Sequence, residues 1–282
     1  MKFYTPDGTE ISPEKNEDER KKEFIKYYSQ DYFLKEHGNS GIVPGLSRSS
    51  KFVEDVIIEI LHSGINSRMD VARILAWKTG KIKHRCSEEN KKKGCFIYSI
   101  DWSNLQEFES NDNLNALPDE MCVRLYSKEF NFQIGKIAGL LLGNRYNLEK
   151  TLDSNTEDGW KTLLQKLNRL LCKDNCVQYV GTVYLITLMY FISKGKYPIY
   201  DRFAMKAIRA IEEEGVIPKK GSIPYKELKI VDKVINDESE YSYKIYMDNL
   251  NRIFPQEEFQ FDEKGLAKRE LDQALWVYGH LF

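Results

Sequence analysis

Long apolar runs are missing from this chain of 282 residues; none reaches the roughly 18 residues that a membrane-spanning helix needs. The opening stretch, MKFYTPDGTE, likewise has no apolar centre of the kind a secretory leader carries. The expected location is therefore cytoplasmic, with no membrane partner. Cysteine is sparse, and its odd count of five rules out a complete disulfide framework, so the thiols are expected to be reduced. A surplus of either charge is also absent: 42 Lys and Arg face 43 Asp and Glu, and the net charge is −1. Such a balance neither demands nor excludes nucleic acid, but a nucleic-acid binder would have to gather its cations on one face. With only four histidines, metal-ligand patterns are thin. His84, Cys86 and Cys95 match no four-ligand zinc spacing, and Cys172 and Cys176 have no second pair. No metal and no cofactor is expected.

What the chain does have is helical periodicity. Residues 1–22 are polar and read as a solvated helix end or arm. Phe24, Tyr27, Tyr28, Tyr32 and Phe33 then form an aromatic stripe, read first as packing and second as a base-stacking platform. GNSGIVPGLSRSSK, over 38–51, is a loop whose Arg48 suits a phosphate contact or an ordinary helix start. Phe52, Val56, Ile57, Ile60 and Leu61 share one helical face, with Glu54, Asp55 and Glu59 opposite. A second helix is expected over 67–79. The densest basic stretch follows, including Lys91, Lys92 and Lys93, and reads as a solvated loop or a phosphate-contacting insertion. Beyond it, FIYSIDW over 96–102 alternates enough for one arm of a small β-hairpin. Ile134 to Leu142 outline a short apolar helix broken by Gly135, Gly139 and Gly143, and Trp160 to Leu171 a helix rich in leucine. Val183 to Ile192 is apolar on nearly all sides and reads as a central core helix. A last helix is expected from about Leu266.

Asp201 opens an amphipathic run in which Phe203, Ala204, Ala207, Ile208 and Ile211 share a face, so it reads as an N-cap. VQYVG over 177–181, an apolar helix, and PIYD over 198–201 together resemble the signature of the helix-hairpin-helix DNA glycosylases, the superfamily of endonuclease III and the 8-oxoguanine glycosylases. In that family a hairpin glycine lies twenty residues before the catalytic Asp, an interval that Gly181 and Asp201 keep. RELDQALWVYGHLF at the end of the chain resembles the family's C-terminal helix. The resemblance covers residues 177–211 and 269–282; within it Gln178 stands where Pro is usual and Tyr179 where the first hairpin glycine is usual.

The resemblance implies an all-α, two-lobed helix-hairpin-helix DNA glycosylase-like fold with room for the β-hairpin insertion. It divides the chain into an N-terminal segment 1–51 packed on the second lobe, a helical barrel lobe 52–194, and a second lobe 195–282 carrying Asp201. It implies duplex DNA as partner, contacted by Tyr179, Gly181, Val183, Arg48 and Lys91 to Lys93, and a base pocket near Tyr184, His280 and Phe282. Asp201 becomes the catalytic carboxylate, set beside C1′ to stabilise an oxocarbenium-like sugar. Val183 stands where lyase-active branches have lysine, so the implied activity is monofunctional excision of a damaged or modified base flipped from the duplex. The alternative is a catalytically inactive DNA-binding or protein-interaction module on the same fold. We predict that duplex DNA binds with an affinity that falls steeply as salt rises, and that charge reversal of Lys91, Lys92 and Lys93 weakens binding and flattens the salt slope. A fluorescence anisotropy titration checks this; no binding at low salt would remove every nucleic-acid reading.

Overall fold

The structure, a computed structural model, describes residues 1–33, 41–43, 46, 51–78, 128–152, 158–175, 181–213, 216–223 and 237–282. In chain order its helices are α1 (Glu17–Ser29), α2 (Lys51–Ser63), α3 (Arg68–Lys78), α4 (Lys128–Gly143), α5 (Arg145–Glu149), α6 (Gly159–Asn168), α7 (Thr182–Ile192), α8 (Arg202–Glu212), α9 (Asp237–Ile253) and α10 (Glu270–Gly279). Among the described residues β structure amounts to isolated bridges, among them those of Tyr4 with Glu10 and of Phe261 with Ala267, so the class is all-α. The hairpin expected over 96–102, the basic run with Lys91 to Lys93, Arg48 and Tyr179 lie outside the described residues. The chain divides into two compact units: Met1–Lys51 with Pro198–Ile230 and Asp237–Phe282, and Phe52–Tyr197 with Val231–Asn236.

In the second of these units α7 is the core helix that its composition predicts, with every residue from Leu185 to Phe191 buried. The Thr187 hydroxyl in that run is satisfied within the helix by donating to the Val183 carbonyl at 2.8 Å. The helix ends in a Schellman turn. The Gly195 N–H reaches the Tyr190 carbonyl at 2.9 Å and the Lys194 N–H reaches that of Phe191 at 3.1 Å, with Lys194 itself left-handed at φ 51°. α3 starts on a capping box in which the Ser67 hydroxyl accepts from the Asp70 N–H at 3.1 Å, while the Asp70 carboxylate accepts from the N–H groups of Asn66 and Ser67, each at 2.9 Å. Glu54 departs from the expected polar face of α2. It is fully buried and accepts a 2.7 Å hydrogen bond from the Trp77 indole on α3. α4 also differs from expectation, running through Gly135 and Gly139 without a break because α3 packs along it and supplies the stability that glycine withholds. The leucine-rich helix turns π-helical over Arg169–Lys173.

In the other unit α10 is central, packed between α1 and α8. Its core is aromatic. Phe24 of α1 lies edge-on to Tyr278 of α10 at 5.1 Å and stacks against Phe254 at 6.1 Å, while Phe3 packs on Phe24 at 4.8 Å. Phe24, Tyr28 and Tyr32 of the aromatic stripe are thus packing, while Tyr27 is exposed; the Tyr28 hydroxyl donates to the Tyr4 carbonyl at 2.5 Å. Of the two readings of residues 1–22, the mobile arm is corrected by the same contacts, since Phe3, Ile11 and Lys21 are all buried, while the exposed first turn of α1 at Glu17 to Glu19 is a solvated helix end. Aromatic burial outweighs the polarity of the intervening residues. The buried Asp31 carboxylate then secures the chain beyond α1 by accepting the N–H groups of Ile42 at 2.9 Å and Val43 at 3.3 Å. The last helix begins at Glu270, four residues after the expected start, because Phe261 to Ala267 is occupied by a bridged turn in which Asp262 accepts from the Lys264 and Leu266 N–H groups.

α8 and α10 meet backbone to backbone at Gly279. A Cβ there would lie 1.9 Å from the Phe203 carbonyl oxygen and 2.9 Å from its Cα, so only glycine permits the approach. Alanine has the better helix propensity by about 1 kcal/mol. We nevertheless predict that Gly279→Ala destabilises the protein by about 1–3 kcal/mol, because the clash forces the two helices apart. Urea denaturation measures the difference; a variant as stable as the parent would show that the two helices separate at no cost.

Candidate active site

The segment leading to Asp201 is held rigidly on its own unit. The Pro198 carbonyl accepts the buried Tyr243 hydroxyl of α9 at 2.7 Å, and the Tyr200 ring meets Tyr246 of α9 edge-on at 5.3 Å. Burial, then the carboxylate of Asp272, raise the Tyr246 phenol well above its usual range, so it is a neutral wall. Asp201 follows in extended conformation, φ −138° and ψ 144°, and caps α8 by accepting the Phe203 N–H on Oδ1 at 2.8 Å. Its side chain is half-buried, and the first turn of α8 contains no other acid. A carboxylate at a helix N-terminus lies where the helix dipole and main-chain N–H groups favour negative charge.

Phe203 is the hub of the surroundings. The Arg202 guanidinium lies over its ring at 4.6 Å, and the His280 imidazole is stacked on it at 3.4 Å with an interplanar angle of 19°. Trp276 of α10 meets His280 at 4.3 Å and Tyr32 at 5.3 Å, both edge-on, completing an aromatic ladder from the N-terminal segment to the head of α8. Nδ1 of His280 lies 2.7 Å from the Trp276 carbonyl oxygen. Burial pushes the His280 pKa down, and Arg202 and Lys206 act in the same direction, while the bond to Trp276 and the Asp201 charge oppose it without prevailing.

Asp201 and His280 are therefore brought together through one residue. Phe282, the other residue assigned to a pocket at the C-terminus, has its ring buried edge-on against Tyr278 at 5.0 Å, and its main-chain oxygen accepts the buried Lys206 ammonium at 3.0 Å. Gly181, Val183 and Tyr184 belong to the other unit, at the start of α7. Gly181 has φ −88°, an ordinary extended value, and its carbonyl accepts the Tyr184 N–H at 2.9 Å. Val183 and Tyr184 are half-buried. Among the described residues no cluster of three His, Cys, Asp or Glu side chains could hold a metal ion, and no helix is long and apolar enough to cross a membrane. Phe203, Trp276 and Tyr32 were missed as site residues, since their apolar spacing signals core packing. Gly279 next to His280 was the available clue to a close helix crossing.

Comparison with models of protein families, with curated proteins and with solved structures finds no match.

The depressed pKa of His280 has a consequence for stability. As pH falls below about 6.5, the unfolded chain takes up the proton before the folded one, so the His280 contribution is present above that value and is lost as pH falls below it. We predict that urea midpoints measured from pH 7.5 down to pH 5.5 fall more steeply for the parent than for His280→Gln. Equal slopes would show that His280 does not favour the neutral form in the fold.

Proposed function

We propose that the protein is a DNA glycosylase-like enzyme that hydrolyses the N-glycosidic bond of a damaged or modified base flipped from duplex DNA, with Asp201 as the catalytic carboxylate. The observation that carries this reading is the Asp201 carboxylate itself. It is half-exposed at the head of α8, with one oxygen oriented by the Phe203 N–H at 2.8 Å. Departure of the base leaves positive charge on the sugar, and a fixed anion beside C1′ stabilises it at no reorganisation cost in the transition state. The packing of α10 on α8 supports the same reading, because the two segments that carry the glycosylase resemblance within this unit are joined at Gly279 and His280. Val183 supplies no amine for a Schiff base, which favours hydrolysis without strand cleavage. Tyr179, Gly181, Val183, Arg48 and Lys91 to Lys93 are the proposed DNA contacts.

Asp201→Asn separates catalysis from capping. Asparagine is close in size and is itself a good N-cap, so folding should lose at most a fraction of about 1 kcal/mol. The charge is lost entirely, and removal of such an electrostatic contribution lowers rates on the order of 100-fold or more. We predict that Asp201→Asn abolishes single-turnover excision while its melting temperature and DNA affinity stay near those of the parent. Excision at the parental rate would leave Asp201 as a cap alone; a parent that binds duplex DNA but excises nothing would favour the inactive binding module.

A further inference from the structure

His280 carries more information than its position. A carbonyl oxygen can only accept, so the 2.7 Å contact between Nδ1 and the Trp276 oxygen puts the proton of the neutral ring on Nδ1 and leaves Nε2 with a bare lone pair. No hydrogen bond to Nε2 is made by any of the described residues, and the ring is only partly covered. The ring cannot turn easily, because it is gripped by Phe203 on one face at 3.4 Å and by Trp276 at 4.3 Å. Phe203 serves both groups, its N–H holding the Asp201 carboxylate and its ring carrying the imidazole. The charged groups acting on His280 are Asp201, Arg202 and Lys206 of the α8 segment. On the short 3-10 turn packed against α10, Tyr32 contacts Trp276, and the Asp31 carboxylate accepts the N–H groups of Ile42 and Val43. From α1, Tyr28 packs on Tyr278, with its phenol held neutral by burial.

We infer that Nε2 of His280 is the proton acceptor for the water that attacks C1′, a role that rests on the glycosylase reading above. The two groups divide the work. The Asp201 carboxylate faces the sugar cation; His280, neutral with its acceptor nitrogen fixed, takes the proton of the water. In the step, a lone pair of the water oxygen forms the C1′–O bond, and one O–H bond of that water breaks with its proton passing to Nε2. The C1′–N bond breaks with its electron pair leaving on the base, which is protonated from solvent. The imidazolium then returns its proton to solvent.

Two measurements test the role. Nitrogen-15 NMR of the histidine-labelled protein, without DNA, reports the tautomer and the titration midpoint of His280. Single-turnover excision is then followed against pH on duplex oligonucleotides bearing one uracil, hypoxanthine, 8-oxoguanine or 3-methyladenine. The expected result is an Nδ1–H tautomer and an excision rate that declines at low pH with the His280 midpoint. His280→Gln should lose on the order of 100-fold in rate, together with the acidic limb. An Nε2–H tautomer overturns the inference without any substrate. Parental excision with no acidic limb at the His280 midpoint overturns it whether or not the variant folds. A folded His280→Gln that excises at the parental rate also overturns it and leaves the Asp201 reading standing. A parent inert on every duplex removes that reading and this role together.

Discussion

The approach of α10 to α8 at Gly279 is the constraint on which the candidate site depends. With no Cβ at that position, the helix backbone comes against the Phe203 carbonyl, and the next residue, His280, then lies in stacking contact with the Phe203 ring. The same approach puts the Phe282 main-chain oxygen within 3.0 Å of the Lys206 ammonium, so a cation that would be expensive to bury alone is satisfied on the far side of the contact. Asp201 is tied in from the other end, because the N–H that orients it belongs to Phe203. Two interactions of different kinds thus depend on one glycine, and the local cap at Asp201 shares the residue it meets.

Several buried carboxylates in this protein accept backbone or indole N–H groups. Asp31 accepts two main-chain N–H groups, Glu54 accepts the Trp77 indole, and Asp70 accepts two N–H groups ahead of α3. Such bonds have strict geometry, so each one fixes where a chain segment runs and not merely whether a charge is tolerated. The head of α8 follows the same habit: Asp201 is oriented by a main-chain N–H and His280 by a main-chain carbonyl. Side chains held by the backbone cannot swing away when a neighbouring rotamer changes, which is what a group that must meet a reacting atom requires.

Periodicity made much of this legible in advance. The apolar run of Val183 to Ile192, the faces of α2 and α8 and the cap at Asp201 are local signals, each decided within a few turns of chain. What escaped was non-local. Nothing in residues 1–22 announces that Phe3 will join Phe24, Phe254 and Tyr278 across hundreds of positions, and a single Phe among charges reads as exposed. Glu54 lies among polar neighbours on a helical wheel, and only the indole of Trp77, on the next helix, explains its burial. Gly135 and Gly139 read as breaks because propensity is a weak local term that packing by α3 overrides. The aromatic ladder around Phe203 was invisible for the same reason, since it draws on Tyr32, Phe203, Trp276 and His280 from three separate stretches.

The scattered origin of the unit that holds Asp201 bears on how the protein is made. Nearly all of the other unit is one continuous stretch, Phe52–Tyr197, whereas this one is assembled from Met1–Lys51, Pro198–Ile230 and Asp237–Phe282. Its central helix, α10, is the last of the described helices to leave the ribosome, and until it does, α1 and α8 have nothing between them to pack against. The continuous unit can therefore collapse during synthesis while Phe3, Phe24 and Tyr28 wait exposed, and the closing of long loops makes this unit the slower to form. Until α10 is made, neither His280 nor the contact of Gly279 with Phe203 that positions it is in place.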